Sequence, residues 1–523
     1  MRASRSLRAA GLVLAAAFAT PLAYLLTWAA GDPARITEVW ASAQTLAPLG
    51  RTLLLAVTVS ATTAALGTVL AWLTTRTDLP GLRLWRLLLP LPLVIPSFIG
   101  AFSLIAAFAP GGLVPQLLAP LGVKALPQVR GFVGSFAVLV LLTYPYVYLP
   151  VAARLRQLPP SLEESARLLG RSPAGAFRDV VLPQIRGAVL AGGLLVFLYS
   201  VSEFGVVQLM RYDTLTRTIY ATRIYERELA LSLSLLLGVL AVAIAAGERW
   251  GGGMRQAATA RGDRPLQAPL GRLRTPAVAL VAATTVLALL APLAVLLFWA
   301  VRGLWHGGRS VGSLRADLAD LVAPAVNTAS VSVAAAAAAV LVVLPVAYLT
   351  VRHRGRAADV ANALIVGGFA LPGLVIALAL VHWTLGTPAL SALYQTRTVL
   401  IAAYVVHFGA QALRTAQVAV SAMPPRVEDA ARMLGAGRLR RLTAIELPLM
   451  APGLFAGGGL VLLSAMKELP ATLLLAPPGF QTLATTIWTA TEDAFLAEAS
   501  LAAILLVLLS AALTWVLVLR QSE

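Results

Sequence analysis

Glu164-Ser-Ala-Arg-Leu-Leu-Gly170 and Asp429-Ala-Ala-Arg-Met-Leu-Gly435 are two copies of one pattern, 265 residues apart. Each copy leads, after the same interval, to an aliphatic residue, any residue, Leu and Pro, as in Val180-Val-Leu182-Pro183 and Ile445-Glu-Leu447-Pro448. From Glu164/Asp429 to Glu203/Glu468 the copies share 13 identities in 40 aligned pairs. In an apolar chain, a repeat of this length predicts two homologous halves related by a pseudo-two-fold axis.

The composition indicates a membrane protein. Of the 523 residues, 59% are hydrophobic and 12% are charged, and the mean hydropathy is +0.82. Apolar runs of about 20 residues recur, each long enough to cross about 30 Å of hydrocarbon as a helix. Open sheets would leave backbone groups unpaired in lipid, and the alternation typical of a membrane barrel is missing from the sequence. We therefore predict an all-α, polytopic membrane protein of about 12 transmembrane helices in two homologous six-helix halves.

We predict six spans in each half. Their approximate bounds are 10–30, 53–75, 87–108, 132–153, 188–210, 229–247, 276–301, 328–351, 361–384, 398–413, 450–474 and 497–519. The first half covers 1–247 and the second 275–523, and 248–274 is an Arg-, Gly- and Pro-containing linker of flexible type. The halves also match upstream at an offset of 276, in the pairs Thr52/Thr328, Ala71/Ala347, Arg76/Arg352 and Pro96/Pro372. Prolines 96 and 372 predict kinks in spans three and nine.

The distribution of charge predicts the topology. With the N-terminus inside, even span counts place both termini, the linker and both repeated segments in the cytoplasm. Of the 41 Lys and Arg residues, 28 then fall in cytoplasmic segments, as the positive-inside rule requires. Topology thus accounts for the net charge of +18, and we expect no nucleic-acid partner. The chain has no cysteine, which excludes disulfides and thiolate metal sites.

The repeated segment predicts a short helix, from Leu162 to Leu169 in the first copy. Ser161 with Glu164 three residues later forms the Ser-x-x-Glu pattern of a capping box, and an acid in the first turn suits the helix dipole. Gly170 and Gly435 can adopt the left-handed conformation that ends a helix. A second helical stretch follows, so each half is predicted to carry a rigid helix-turn-helix knob.

Small and cyclic residues complete the pattern. Ala166 and Ala431 would permit the close approach of another surface, and Pro183 and Pro448 mark the start of the next span. The plain alternative is an amphipathic loop repeated by chance. An acid, Ala, Gly and Leu-Pro at fixed spacing in both halves favours a shared function instead.

This pattern resembles the EAA loop of bacterial ABC importer permeases, although Ser165 replaces the first Ala of the motif and Asp429 replaces Glu. The resemblance implies that loops 161–187 and 425–452 dock into grooves on ATPase subunits, one per loop. The residues implied in this coupling are Glu164, Ala166, Gly170, Leu182, Pro183, Asp429, Ala430, Ala431, Gly435, Leu447 and Pro448.

The sequence has no Gly-x-x-x-x-Gly-Lys-[Ser/Thr] phosphate-binding loop, so ATP hydrolysis requires a separate polypeptide. The chain is then a transport permease and not an enzyme. ATP and Mg²⁺ belong to two partner ATPase subunits, and we expect no cofactor in this chain.

The resemblance extends over the whole chain to the ferric-iron permeases, with the thiamine permeases as near relatives. It rests on Glu203-Phe-Gly, Arg211 to Tyr220, Met466 to Leu475 and Thr482 to Trp488. It implies a type I ABC importer fold in the bacterial inner membrane, supplied with substrate by a periplasmic binding protein. Ferric iron is the favoured substrate, and thiamine, a phosphonate or a polyamine are the alternatives.

Two acids are candidates for the translocation path. Glu203 and Glu468 occupy equivalent positions in spans five and eleven, about 24 Å along a continuous helix. Intramembrane carboxylates usually face a bundle interior or a wet cavity, so a cation could contact them briefly. The alternative is a structural role in hydrogen bonding to neighbouring spans.

A different class of protein, a 12-span secondary transporter, would need a coupling-ion site within the membrane. Charged residues near mid-span are limited to Glu203, Glu468 and Lys467, and this class leaves the doubled motif unexplained. The four histidines lack metal-ligand spacing, so we expect no metal site in the chain. A membrane-embedded enzyme lacks any supporting constellation of residues.

Overall fold

The computed structural model describes residues 5–122, 127–251, 268–305, 318–353 and 355–519. Most of the linker (252–267), His306 and the predicted cytoplasmic C-terminus lie outside the described residues. Within the described ranges the chain is helical, and one isolated bridge between Thr77 and Ala268 is the only β pairing. The predicted all-α fold class is confirmed.

Twenty-six α-helices are described, numbered α1 to α26 in chain order. They are Arg5–Ala29, Pro33–Ala41, Ala43–Arg76, Leu82–Leu88, Ser97–Phe108, Leu113–Leu118, Gly131–Thr143, Pro145–Gln157, Pro160–Leu168, Pro173–Ala176, Leu182–Ser202, Gly205–Leu209, Leu215–Thr222, Arg227–Gly251, Arg274–Thr285, Ala291–Trp305, Val322–Arg352, Arg356–Ala370, Gly373–Gly386, Arg397–Ala422, Pro425–Met433, Arg438–Arg441, Leu447–Met466, Pro470–Leu475, Leu483–Glu492 and Leu496–Leu519. Three π-helical turns are Phe177–Val181, Val286–Leu290 and Leu442–Glu446. Five 3₁₀ turns are Leu91–Val94, Ala119–Leu121, Gly271–Leu273, Leu318–Leu321 and Pro388–Leu393.

The number of spans agrees with the prediction. Eleven helical stretches in the described residues are long and apolar enough to cross a membrane, or twelve if the bent pair α18 and α19 forms one span. That pair turns through 104° just before Gly373, because Pro372 has no backbone N–H to continue the helix. The kink predicted at Pro372 is therefore present.

Besides the predicted span 361–384, which the bent pair breaks, three further predicted spans are broken, which corrects the assigned bounds 87–108, 188–210 and 450–474. In the first, α4 ends at Leu88, and α5 starts only at Ser97 after a proline-containing 3₁₀ turn. Spans five and eleven end at Ser202 and Met466, and each is followed by a separate short helix. Apolarity alone does not distinguish one long helix from two, because both halves of a broken span are equally apolar.

The chain forms two compact units. Unit A contains residues 43–218 and 243–302, and unit B contains 1–42, 219–242 and 303–523. The first helix of each half therefore belongs to the unit that is built mainly from the other half. In unit B, α1 from the first half packs on α17 and α18. In unit A, Trp299 of α16 from the second half donates from Nε1 to the Ala106 carbonyl oxygen at 3.0 Å. The domain bounds taken from the repeat describe a duplication of sequence and stay a prediction.

The same three-helix core occurs in each unit. In unit A it is α3, α8 and α11, and in unit B it is α17, α20 and α23. The identical pair Gly192 and Gly457 lets the third helix approach the second closely: a Cβ at Gly192 would lie 2.8 Å from the Tyr146 carbonyl oxygen, and one at Gly457 would clash with Thr415. Small residues that allow such approach are typical of helix packing in membranes.

Candidate functional site

The helix of the first repeated loop is α9, which runs from Pro160 to Leu168 with Pro159 as its N-cap. No side chain caps its start. The predicted capping box of Ser161 and Glu164 is therefore wrong, because Ser161 already lies inside the helix. Proline takes over this start, since its missing N–H would be unpaired in the first turn in any case. The second loop follows the same design, with Pro424 as the N-cap of α21.

Both loop helices end in the predicted left-handed glycine. Gly170 has a φ of +84° and Gly435 a φ of +75°. In the first loop the Arg171 N–H donates to the Ala166 carbonyl oxygen at 3.1 Å, and the Gly170 N–H donates to the Arg167 carbonyl oxygen at 3.0 Å. The second loop has the equivalent bonds from residues 436 and 435, both at 3.0 Å. This is the Schellman arrangement, which satisfies the last carbonyl groups of a helix.

Large apolar side chains are exposed at the end of each loop helix. Leu168 and Leu169 are 89% and 86% exposed, and the equivalent Met433 and Leu434 are 89% and 88% exposed. Their exposure in both loops marks a surface suited to a protein partner.

The small and acidic residues of the motif face different ways. Glu164, Asp429 and Ala430 are exposed. Ala166 and Ala431, expected to admit another surface, are buried within the chain. Their small size thus serves the packing of the loop itself rather than contact with an outside surface.

The Leu-Pro pairs lie inside a continuous helical run. A π-helical turn ends at Val181 in one loop and at Glu446 in the other, directly before Leu182-Pro183 and Leu447-Pro448. A proline lacks the N–H that an α-helix would use, and a π turn accommodates the local break. In both loops the span therefore continues through the proline rather than starting at it.

A buried arginine, Arg76, and a half-buried one, Arg352, hold the chain that leads into each loop. Arg76, at the end of α3, is 2% exposed. Its NH2 donates to the carbonyl oxygens of Leu155 and Leu158 at 2.9 and 3.1 Å. Its NH1 lies 3.7 Å from Oε2 of Glu163, whose Oε1 accepts from Arg167 at 2.8 Å. The end of α3 is thereby tied to the end of α8 and to the loop helix α9.

The second half repeats the contact. Arg352, at the end of α17, donates from NH2 to the Met423 carbonyl oxygen at 2.7 Å. Met423 and Leu158 are equivalent, since each is the C-cap of the helix before its loop. We call Arg76 and Arg352 the clamp arginines. The repeat pairs these two residues but does not predict this role, because the positive-inside rule already explains a basic residue at each position.

The two candidate acids lie at breaks between helices. Glu203 is extended, with φ −66° and ψ 129°, between α11 and α12, and its Oε1 accepts from the Val206 N–H at 3.0 Å. Glu468 lies between α23 and α24, and its Oε1 accepts from the Ala471 N–H at 3.1 Å. Each buried carboxyl group therefore lies one residue before the N-cap and accepts from an N–H in the first turn of a short helix, where a negative charge is favoured.

The surroundings of the two acids differ. Ser97 donates from Oγ to both Glu203 oxygens at 3.1 and 3.0 Å, whereas the equivalent residue beside Glu468 is Gly373. Glu468 instead has His407, with Nε2 at 3.9 Å from Oε2.

A second pair of side chains, near each acid on the core helices, also differs between the units. In unit A the rings of Tyr146 and Tyr199 lie 6.0 Å apart between centroids. The equivalent residues in unit B are Gln411 and Ser464, with the Ser464 hydroxyl donating to the amide oxygen at 3.0 Å. The acid is therefore the same in the two copies, but the side chains around it differ.

A duplicated, multi-pass helical protein with two such loops belongs to the class of membrane permeases. The family model described as the inner membrane component of binding-protein-dependent transport systems matches residues 64–299 and again 344–521. The chain belongs to this family, whose members are permeases of ABC importers and not enzymes.

Individual relatives agree with this class. The chain is 29% identical over 469 residues to the Fe(3+)-transport system permease protein FbpB 2 of Haemophilus influenzae, covering 88% of this chain and 87% of that protein. It is 32% identical over 174 residues to the sulfate transport system permease protein CysT of Salmonella typhimurium, covering 33% of this chain and 62% of that protein. It is also 36% identical over 162 residues to the putative ABC transporter permease protein ORF1 of Streptomyces antibioticus, covering 30% of this chain and 68% of that protein.

Proposed function

We propose that this chain is the fused permease of a ferric-iron importer that is driven by two ATPase subunits and supplied by a periplasmic binding protein. The observation that carries the proposal is that both loop helices end in a Schellman turn and expose large apolar side chains there. They do so in a chain that belongs to the family of binding-protein-dependent transport permeases. Both termini and both loops are cytoplasmic in this proposal, and the membrane is the bacterial inner membrane.

Each loop docks one ATPase subunit. Leu168, Leu169, Met433 and Leu434 supply the apolar contact, and burial of each side chain would contribute about 1.5–3 kcal/mol. Glu164 and Asp429 are exposed on the same loops and available to a basic group of the partner. ATP and Mg²⁺ are bound by those subunits.

The clamp arginines transmit movement of the loops. A docked subunit that closes on ATP moves α9 and α21, and the arginines tie the chain before these helices to the ends of α3 and α17. Because α3 and α17 belong to the three-helix cores, a loop tied to them cannot move alone. The expected result is a rigid displacement of each core that opens the permease outward.

The choice of ferric iron rests on the extent of the similarity. The Haemophilus relative aligns with 88% of this chain and therefore with both halves, whereas the Salmonella sulfate relative aligns with 33% of it. Sulfate, thiamine, a phosphonate and a polyamine are the alternative substrates to ferric iron.

Uptake of labelled substrates tests the choice. In a deletion strain restored with this gene, we expect labelled ferric iron to enter at least about tenfold faster than in the unrestored strain. Labelled sulfate and thiamine should enter at equal rates in both strains. Gene-dependent sulfate or thiamine uptake without iron uptake would refute iron as the substrate and leave the permease class intact.

We further propose that Glu203 and Glu468 contact the cation in transit. Replacement of both by Gln should lower iron uptake at least about tenfold, because the negative charge is lost while the amide oxygen can still cap the helix. ATPase activity should persist, since the loops are unchanged. Unchanged uptake in the double Gln variant would leave the acids with a purely structural role. The control is Asp213→Asn, a half-exposed acid on another loop of unit A that pairs with Arg51 and Arg217.

A further inference from the structure

Unit B contains a cavity of about 790 Å³ that the proposed transport mechanism does not use. It lies between the C-terminal ends of α17 and α20 and the N-terminal end of α18. Its polar lining comprises Thr350, Asp359, Asn362, Arg414, Gln417 and Ser421. A cavity of this size is large enough for a small organic group.

One wall of the cavity is held in place by side-chain hydrogen bonds. The Gln417 amide nitrogen donates to Thr350 Oγ1 at 3.0 Å and to Asn362 Oδ1 at 3.1 Å. With its oxygen engaged, the Asn362 amide directs its nitrogen elsewhere and can donate to an acceptor in the cavity. The wall is thus fixed before any ligand binds.

The cavity also holds one cation and one anion that have no partner in the part of the chain that the structure describes. Among the described residues, the side chains of Arg414 and Asp359 make no hydrogen bond or ion pair with each other or with other groups. Both are exposed. A ligand that carries one negative and one positive group would satisfy both.

The cavity lies near the ends of candidate membrane spans. Its residues occupy the last turns of two such helices and the first turns of a third, so the predicted topology places it near the depth of the lipid headgroups. Val418 lines it and is 68% exposed, and Val360 on α18 is 48% exposed. An occupant could therefore keep a charged group inside and apolar chains along these valines.

We propose that the cavity binds the phosphoethanolamine headgroup of a membrane phospholipid. The Arg414 guanidinium suits a phosphate, with which it can form two parallel hydrogen bonds. The Asp359 carboxylate accepts hydrogen bonds from the primary ammonium. A choline headgroup has no N–H to donate, and a glycerol headgroup has no positive charge for Asp359.

The site belongs to one half of the chain only. In the first half the residues equivalent to Asp359, Arg414 and Gln417 are Arg83, Leu149 and Ala152. The charge pattern is therefore not inherited from the repeat. Its presence in one copy indicates a role separate from the doubled coupling loops.

Lipid retention tests the proposal. The full-length chain is extracted from bacterial membranes in copolymer nanodiscs, stripped in detergent and re-equilibrated with equal amounts of phosphatidylethanolamine, phosphatidylcholine and phosphatidylglycerol. Native mass spectrometry then counts the lipid bound. We expect one phosphatidylethanolamine to be retained in preference to both others. Arg414→Gln should weaken its retention about tenfold, the loss of one charge-assisted contact. Asp359→Asn should abolish the preference over phosphatidylglycerol.

The control is Arg356→Gln, an exposed arginine on α18 that does not line the cavity. It should retain phosphatidylethanolamine as the unaltered chain does. Equal retention of all three lipids, or no effect of Arg414→Gln, would overturn the proposal. Displacement of the lipid by an equal concentration of free phosphoethanolamine would also overturn it, since the ligand would then be a soluble zwitterion.

Discussion

Replacement of both Gly170 and Gly435 by Val is expected to lower substrate uptake at least about tenfold and to weaken co-purification of the ATPase. Both glycines have positive φ, where a side chain with a Cβ costs about 1–2 kcal/mol and a β-branched one costs more. No atom lies within 4 Å of a Cβ built at either position, so the effect comes from backbone strain and not from a clash. Relief of that strain would unwind the Schellman turn and move the exposed leucines and methionine. Labelled uptake and ATPase pull-down measure the result.

Two controls separate strain from bulk. Gly437→Val introduces the same side chain in the second loop, where a Cβ also meets nothing within 4 Å and φ is not positive. It should leave coupling intact. Gly170→Asn with Gly435→Asn should retain most of the activity, because Asn tolerates the left-handed region. If the Val and Asn pairs behave alike, the left-handed turn is not what coupling requires.

Loss of the clamp arginines is expected to have the second large effect. Arg76→Met would remove the donor to two buried carbonyl oxygens, whereas Glu163 would keep its ion pair with Arg167. A buried acceptor left without a partner costs about 1–3 kcal/mol. We expect ATPase binding to survive while ATP hydrolysis no longer drives uptake, because the loop then moves without its core. The measurement is the ratio of ATP hydrolysed to substrate transported in proteoliposomes.

Lysine substitutions refine this prediction. Arg76 donates to two carbonyl oxygens and lies near Glu163, and Arg352 donates to the carbonyl oxygen of Met423. Lys is a compact charge that replaces a guanidinium fork poorly, so we expect Arg76→Lys and Arg352→Lys both to impair coupling. The exposed Arg83→Met is the matched control and should be neutral. A purely structural role would lower thermal stability in all clamp variants and leave the ATP-to-substrate ratio unchanged, contrary to the proposal.

The fold class, the duplication and the turn that ends each loop helix are predictable from the sequence. These follow from local rules: apolar length fixes membrane crossing, and a left-handed C-cap needs Gly170 and Gly435. The position of Pro372 likewise predicted the kink between α18 and α19. The start of α9 was missed, because Pro160 and Ser161 compete for the same role and the sequence pattern favours the wrong one.

Which side chains come into contact depends on how the helices pack. The apolar neighbours of Glu203 and Glu468 predict continuous spans, yet each acid accepts from an N–H in the first turn of a new helix after a break. The clamp contacts join residues about 80 and 70 positions apart, at an end of α3 or α17 that sequence explains by topology alone. A local sequence pattern predicts which secondary structure a segment forms. A hydrogen bond between distant segments depends instead on how the helices pack, and this packing brings Arg76 and Arg352 to their carbonyl partners.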